Sequence, residues 1–492
     1  MTEVNTEFEA VIGLEMHCQL ATNSKIFCGC RARLPGGKSV ADVEVNSNTC
    51  AICAGHPGTL PVLNKKVVEY GIRAGLATHC KINHHTVLSR KNYFYPDLPK
   101  GYQLSQYADP LCEHGWIDIE TSEGKKRVNI QRIHMEEDAG KNIHTSDYSL
   151  VNLNRAGVPL IEIVTFPDMK TPEEAGLYLR SLYSIVTFLE ITDGNMQEGN
   201  FRCDANVSIK PKGAKELGTR TEIKNVNSFR FVEKAIEYEI ARQIQLVQSG
   251  GKVVQETRTY DSDKNIALTM RSKEEAHDYR YFPDPDLVPV NIDPSWVEKI
   301  RSELPELPEQ KRNRLVTEFG LSEYDAATLT GSKVLIRFFD QVMEVTGISQ
   351  KGSAKLVANW VTGEVARLMN ETGIGIDQSK LRPAHLVELI HLLQSQAIST
   401  PAAKQVLPLV WESGDSVESL IERQGLKQVS DVGALEAAID KVIAKSSSQV
   451  AEYRSGKEKV LGYFVGQVMK ESGGKANPGL VGELLKKKLS EK

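Results

Sequence analysis

The chain has 492 residues, of which 40% are hydrophobic and 25% charged, with a formal net charge of −4. This balance belongs to a globular protein of several domains and excludes fibrous, low-complexity and disordered classes. The longest apolar stretches are of strand length, as in Val158–Val164, short of the roughly 18–20 residues of a membrane span, and the negative charge confines any nucleic-acid contact to local basic patches.

Met1–Ala10 carries three Glu and no Lys or Arg, which speaks against a secretory n-region or a mitochondrial transit peptide and sets a bacterial or archaeal cytoplasm as the expected location. Residues 1–293 alternate short β-type runs with turn signals: VIGLEMHCQL, GWIDIE, KRVNIQRIHM, PLIEIV, ANVSI and RTEIKNV. Helical patterns interrupt them at Asn64–Ala77, Thr171–Leu189 and Phe229–Val247. Thr171 is the expected N-cap of the second, with Pro172 in the first turn and acids at the positive end of the dipole.

Arg280–Trp296 holds four prolines and reads as an extended linker. Beyond it nearly every segment is helical: Pro294–Glu303, Pro308–Glu318, Lys333–Val345, Lys355–Asn370, Pro383–Gln394 and Thr400–Glu412. A second break falls at Glu412–Val417, before shorter helices at Val417–Gln424, Asp431–Lys445, Ser448–Ser455, Gly456–Glu471 and Asn477–Leu489. The expected class is α+β: a mixed-sheet domain over 1–293, an all-α domain over 294–412 and a small α-helical tail over 413–492.

Two close cysteine pairs, Cys28-Gly29-Cys30 and Cys50-Ala51-Ile52-Cys53, are separated by a loop. Each pair can span one edge of a tetrahedron, so Cys28, Cys30, Cys50 and Cys53 read as ligands of a closed, structural Zn²⁺ site, with unliganded thiols as the alternative. A reducing compartment disfavours disulfides. Cys18, Cys80, Cys112 and Cys203 are isolated and read as packing residues.

In the strand Gly13–Gln19, period 2 places Glu15, His17 and Gln19 on one face and Leu14, Met16 and Cys18 on the other, toward a core. A solvated polar face is the plain alternative to a ligand site. Two other segments change the weighing. His134–Lys141 packs acids between a strand and a glycine turn, and Glu162 sits inside the apolar run PLIEIV. A carboxylate there is costly unless it is paired, with Arg155 as the candidate partner, or binds a metal. Glu15, His17, Glu137 and Glu162 together would suit Mg²⁺ or Mn²⁺, ions that bridge to phosphate.

Arg202, Asp204 and Asn206 in NFRCDANVSI, and Arg220, Glu222, Lys224, Asn225 and Asn227 in GTRTEIKNVNSF, alternate with apolar residues. They suit phosphate, adenine or carboxylate recognition, or a charged outer sheet face. Gly36-Gly37-Lys38-Ser39 ends like a Walker motif, but Ala32 occupies the position of its first glycine, so the match is rejected. With neither a G-x-S-x-G elbow nor a Gly/Ser-rich amidase stretch, the chain is not expected to release ammonia from glutamine itself. The aromatic-basic segment Arg90–Gln103 suits base stacking and phosphate contact, or loop packing. Arg454, Lys457, Lys459, Lys470, Lys475 and Lys486–Lys488 make the tail locally basic, fit for an RNA backbone or simply a solvated helix face.

VIGLEMHCQL, RKNYFYPDLPKGYQLSQY, RIHMEEDAGK, LNRAGVPLIEIV, FRCDANVSI, EIKNVNSFRFVEKAIEYE and DYRYFPDPDLVP resemble the B-subunit family of aspartyl/glutamyl-tRNA amidotransferases, and the likeness runs to the tail GQVMKESGGKANPGLV. The resemblance implies a cradle-shaped, kinase-like N-terminal domain, a helical domain, and a helical tail that binds tRNA. It implies binding of Glu-tRNA(Gln) or Asp-tRNA(Asn), phosphorylation of the misacylated carboxylate by ATP with Mg²⁺, and ammonia delivered by an amidase-fold glutaminase partner in a heterotrimer with a small third partner. Carried over by motif, the metal and catalytic positions fall on Glu15, His17, Glu137 and Glu162. The expected nucleotide-binding residues are Arg202, Asp204, Asn206, Lys224, Asn225 and Arg280, with Arg202, Lys224 or Arg280 as donors to the γ-phosphate. Some members carry the paired-cysteine zinc site and others lack it; here all four cysteines are present.

Three rival readings stay open at this point: an RNA-holding subunit without chemistry, a zinc hydrolase, and a small-molecule kinase or ligase unrelated to tRNA. The hydrolase would need an open metal position, which four cysteine ligands would close.

Overall fold

The computed structural model describes residues 7–34, 39–40, 43–226, 228–272, 278–346, 351–426, 432–471, 476 and 478–490. Gly36–Lys38, Asn227, Asp431, Lys475 and Asn477, all named above, lie outside the described residues, as does the side chain of Asn225. The chain forms two compact units, Met1–Pro308 and Glu309–Lys492.

The strands of the first unit are β1 (Phe8–Gln19), β2 (Lys81–Ile82), β3 (His85–Thr86), β4 (Ser89–Asn92), β5 (Tyr102–Ser105), β6 (Cys112–Thr121), β7 (Gly124–Glu137), β8 (Lys141–His144), β9 (Ser149–Asn152), β10 (Pro159–Thr165), β11 (Phe201–Pro211), β12 (Thr221–Val226), β13 (Glu256–Asp261), β14 (Ile266–Ser272), β15 (Phe282–Pro283) and β16 (Val290–Asn291). Nine of them make one sheet in the order β14-β13-β12-β11-β1-β10-β7-β6-β2. Neighbours are antiparallel except β12 and β13, which makes the sheet mixed, as expected.

One face of this sheet is apolar because alternate residues supply it. Leu14, Met16 and Cys18 of β1 are at most 1% exposed. They share a core with Val67 and Ile72 of α1 (Lys65–Ala77), Leu179 and Leu182 of α2 (Pro172–Phe188) and Ile236 of α3 (Phe229–Gln248). Fully burying such a side chain contributes roughly 1.5–3 kcal/mol. All three helices start where the sequence places them. Asn64 accepts from the Lys66 N–H, Ser228 accepts from the Phe231 N–H, and Thr171 forms a capping box with Glu174. Each cap satisfies an N–H that the first turn leaves unpaired.

The proline-rich segment Arg280–Trp296 is non-helical up to Pro294, where a helix begins, and is also stitched to the unit. Phe282–Pro283 (β15) pairs with β4, and Val290–Asn291 (β16) pairs with β3. After it, Val297 and Ile300 of α4 (Pro294–Ser302) enter the same core. For that reason the unit runs on to Pro308, past the break expected after residue 293.

The helical part comprises α5 (Pro308–Thr317), α6 (Glu323–Thr330), α7 (Lys333–Thr346), α8 (Lys351–Trp360), α9 (Ala366–Thr372), α10 (Pro383–Gln394), α11 (Thr400–Ser413), α12 (Val417–Gln424), α13 (Val432–Lys445), α14 (Ser447–Arg454), α15 (Leu461–Glu471) and α16 (Pro478–Ser490). The pattern over Lys355–Asn370 splits because a π turn at Val361–Val365 separates α8 from α9. Helix α6, capped by Ser322, is not among the sequence-based expectations; its 8 residues are too few to display an apolar stripe. The tail has its own core of Leu435, Ile439, Phe464, Val468, Val481 and Leu485. Among the described residues no helix is long and apolar enough to cross a membrane.

Candidate acidic site on the sheet face

The polar face of the sheet is assembled by register. His17 of β1 stands opposite Glu162 of β10 on one side and Arg202 of β11 on the other, and Glu162 stands opposite His134 of β7. Arg202, His17, Glu162 and His134 therefore form one cross-strand row, turned away from the core by the same period that turns Met16 inward. Glu136, two residues past His134, shares its face.

The side chains converge. His17 Nε2 lies 3.4 Å from Glu162 Oε2 and 4.0 Å from Glu136 Oε2. His134 Nε2 lies 3.4 Å from the same Glu162 oxygen and 3.3 Å from Glu136 Oε1. The Ser105 hydroxyl and the Gln103 amide of β5 donate to Glu136 at 2.9 and 3.1 Å. Donor atoms of His17, Glu136 and Glu162 all lie within 4.8 Å of one another. Two carboxylates and one imidazole at this separation fit a hard divalent cation.

Burial sets the electrostatics here. It would raise Glu162, yet His134 and His17 hold that carboxyl well below its usual range. Glu136 is lowered too: burial and Glu162 oppose ionisation, but His134 and Lys91 prevail. Burial would depress His134, but Glu162 and Glu136 bring it up to about 9. Glu15 is raised, first by burial and then by Glu162, Glu222 and Asp204. So Glu136 and Glu162 are held as anions beside Glu15, which is the most easily protonated of the set.

The other residues expected at the site divide. Glu15 accepts from the Asn206 amide at 2.9 Å, next to the converging group rather than inside it. Glu137 turns the other way, accepting from the Leu104 N–H at 2.9 Å and pairing with Lys100. Arg202 pairs with Asp138 at 3.3 Å. Lys224 sits between Asp204 at 2.8 Å and Glu222 at 2.9 Å. Arg155 donates to the carbonyls of Ala139 and Gly140 and lies 3.6 Å from Asp138, so it does not neutralise Glu162. Arg220 and Arg280 are exposed.

His134, Glu136 and Asp138 are absent from the expected ligand set. Their signal is present as the i, i+2 spacing in HMEED, readable once Glu162 is paired with His134. Lys91 of β4 faces this acidic group. Burial would lower it, but Glu136, Tyr281 and Glu162 hold it well above the usual lysine range. Its Nζ lies 5.1 Å from the Tyr279 ring centroid and 6.0 Å from that of Tyr93.

The four paired cysteines also converge. Their sulfurs lie within 4.8 Å of one another, with Cys53 Sγ 4.0 Å from Cys30 and 3.9 Å from Cys50. A tetrahedron with bonds of about 2.3 Å has edges of roughly 3.8 Å, so the spacing fits a metal and is far too long for disulfides. The Cys53 thiol is drawn down to about 4, first by a hydrogen bond from Cys28, whose own ionisation is pushed up. In the tail, Lys488 pairs with Asp440 at 2.6 Å and Lys457 with Glu452 at 3.6 Å, so part of the basic region is spent on internal pairs.

Residues 10–298 match the family model described as GatB/GatE catalytic domain, and residues 338–489 match that described as GatB domain. Three similar proteins are each described as the B subunit of an aspartyl/glutamyl-tRNA(Asn/Gln) amidotransferase. The one from Trichlorobacter lovleyi is 56% identical, covering 98% of this chain and 99% of the relative. The one from Geotalea uraniireducens is 55% identical over 98% and 100%. The one from Thermodesulfovibrio yellowstonii is 51% identical over 99% and 100%.

Proposed function

Because the chain belongs to the B-subunit family of aspartyl/glutamyl-tRNA(Asn/Gln) amidotransferases, part of a glutamine-dependent carbon–nitrogen ligase, we propose that it is the component that activates the misacylated carboxylate. It binds Glu-tRNA(Gln), Asp-tRNA(Asn) or both, phosphorylates the side-chain carboxylate with ATP, and lets ammonia displace the phosphate. An amidase-fold glutaminase partner supplies the ammonia within a heterotrimer completed by a small third partner. A cytoplasmic setting and tRNA contact by the tail over 413–492 go with this reading, as does a helical region that begins after Pro308.

The convergence of His17, Glu136 and Glu162 on a sheet face carries the proposal. A carboxylate is a poor electrophile, and phosphorylation gives it a leaving group. Phosphoryl transfer demands positioning and charge neutralisation more than covalent help from the protein. His17, Glu136 and Glu162 would hold Mg²⁺, with Glu15 beside them; when bound, the ion neutralises charge on the transferring phosphoryl group. Arg202 and Lys224, with Asp204 and Asn206 on the same face, supply donors for nucleotide and carboxylate oxygens. The Cys28, Cys30, Cys50 and Cys53 set would hold structural Zn²⁺.

The test is amide formation on misacylated tRNA by the reconstituted complex, comparing Glu162→Gln with wild type and following ATP hydrolysis and glutaminase separately. Loss of ATP-dependent transamidation with tRNA binding and glutaminase intact is expected. Full transamidation by the variant would leave this chain as a tRNA holder and move the activation chemistry elsewhere.

A further inference from the structure

Lys25 is a lysine with no exposed surface: its relative exposure is 0%. Its Nζ donates to the Asn48 carbonyl at 3.0 Å and to Cys53 Sγ at 3.5 Å. Neither partner is a carboxylate. A desolvated ammonium is costly unless negative charge faces it, and of the two groups that Nζ touches, Cys53 of the cysteine cluster is the one that can be anionic. Four thiolates around one divalent cation carry a net charge of about −2, the kind of excess that a buried ammonium would offset.

The surroundings fix Lys25 in this place. Its N–H donates to the Cys30 carbonyl at 2.9 Å. Asn48, whose carbonyl receives Nζ, also clasps both backbone groups of Arg31, at 3.2 Å and 2.9 Å. Lys25 therefore touches both cysteine pairs. Its stem lies against Gly157, whose φ of +80° is open to glycine. A Cβ there would stand 3.6 Å from Lys25 Cδ and from Cys53 Cβ, and 3.9 Å from Glu137 Oε2. Gly157 thus lies between the Lys25–Cys53 contact and Glu137 at the end of β7.

We propose that Lys25 is the charge partner of the four-cysteine metal site, donating from Nζ to the Cys53 sulfur and so retaining the metal. This rests on the zinc reading given above. Lys25 touches no reacting atom in that reading and is a positioning residue.

The test uses the full chain, with zinc content measured by elemental analysis and zinc release to a chromogenic chelator followed in time. Lys25→Met, which keeps the apolar stem and removes the charge, should bind zinc about 10- to 100-fold more weakly, the range found when a partner of a metal ligand is lost, and release it correspondingly faster. Lys25→Arg should restore slow release. In the Co²⁺-substituted chain the thiolate-to-metal charge-transfer band should move to lower energy in Lys25→Met and return in Lys25→Arg, which a mere packing role would not produce. If Lys25→Met does not fold, Lys25→Gln is judged by the same criteria. Zinc in wild type with unchanged release and spectrum in the neutral variant would overturn the role of Lys25 alone. Wild type without stoichiometric metal would overturn the zinc reading and this inference with it.

Discussion

His17 and Glu162 are register partners on adjacent antiparallel strands, and His17 Nε2 lies 3.4 Å from the Glu162 carboxylate. The same oxygen lies 3.4 Å from His134 on the next strand. A glutamate inside an apolar run is therefore satisfied by two imidazoles from flanking strands, while Arg155, its sequence neighbour, serves two carbonyls. Glu136 completes the arrangement and brings a second carboxylate to the group. His134, His17 and Lys91 keep these two carboxylates ionised, and their convergence with His17 is what the proposed Mg²⁺ site rests on.

Glu136→Gln and Glu137→Gln should behave differently although the residues are adjacent. Glu136 points at His17, whereas Glu137 holds Lys100 and the Leu104 N–H. Glu136→Gln is expected to reduce ATP-dependent amide formation on the order of 10²-fold or more and to raise the Mg²⁺ concentration giving half-maximal rate. Glu137→Gln should leave that Mg²⁺ requirement near wild type. Equal Mg²⁺ profiles for both variants would remove Glu136 from the ion site.

Cys53→Ser should abolish stoichiometric zinc binding, because Cys53 is the sulfur that approaches both Cys30 and Cys50. Losing about 2 kcal/mol would lower Tm by roughly 3 °C in a unit of this size. A chelator should reproduce the shift in wild type and leave the variant unmoved. Equal chelator effects on both proteins would mean that the cluster does not hold the ion.

Stability against acid should depend on Glu239, a fully buried carboxylate. It receives Arg242 at 2.6 Å, Thr221 at 2.7 Å and Gln243 at 2.8 Å, with Arg258 at 3.3 Å. Burial would raise it, but the bonds from Arg242, Gln243 and Thr221 keep it below the usual range. A lowered carboxyl contributes stability above its unfolded value of about 4.3, and that contribution fades as pH falls through the folded value. Glu239→Gln should cost roughly 1.5–3 kcal/mol near neutrality and flatten the acid limb of a denaturation series. A variant that loses stability in parallel with wild type below pH 5 would contradict this assignment.

Gly75→Ala should destabilise, although alanine favours helix by about 1 kcal/mol. A Cβ at that position of α1 would lie 2.5 Å from Cys112 Sγ and 2.8 Å from Ile82 Cδ1. Overpacking a filled core costs typically 1–3 kcal/mol, so the net change in a urea titration should be a lower midpoint. A raised midpoint would show that the helix can shift off the sheet at no cost.

The sequence by itself determined the local elements, the inward and outward faces, and the pairing of the four cysteines. Those follow from periods of two and 3.6, from caps such as Thr171, and from spacings along the chain. It also marked Glu162 as a residue needing a partner. Only the tertiary structure decided who the partners are. Whether Glu136 or Glu137 of the MEED run turns toward Glu162 depends on the register of β7 against β10, and a one-residue slip exchanges the two faces. Lys25 gave no signal in the sequence, because an isolated lysine is ordinarily solvated. It meets Cys53 only after the loop folds back. Helix α4 likewise reads as the start of the helical region until Val297 and Ile300 are seen in the core of the first unit. In each case the deciding contact joins residues distant in sequence, and only long-range pairing and packing determine which ones meet.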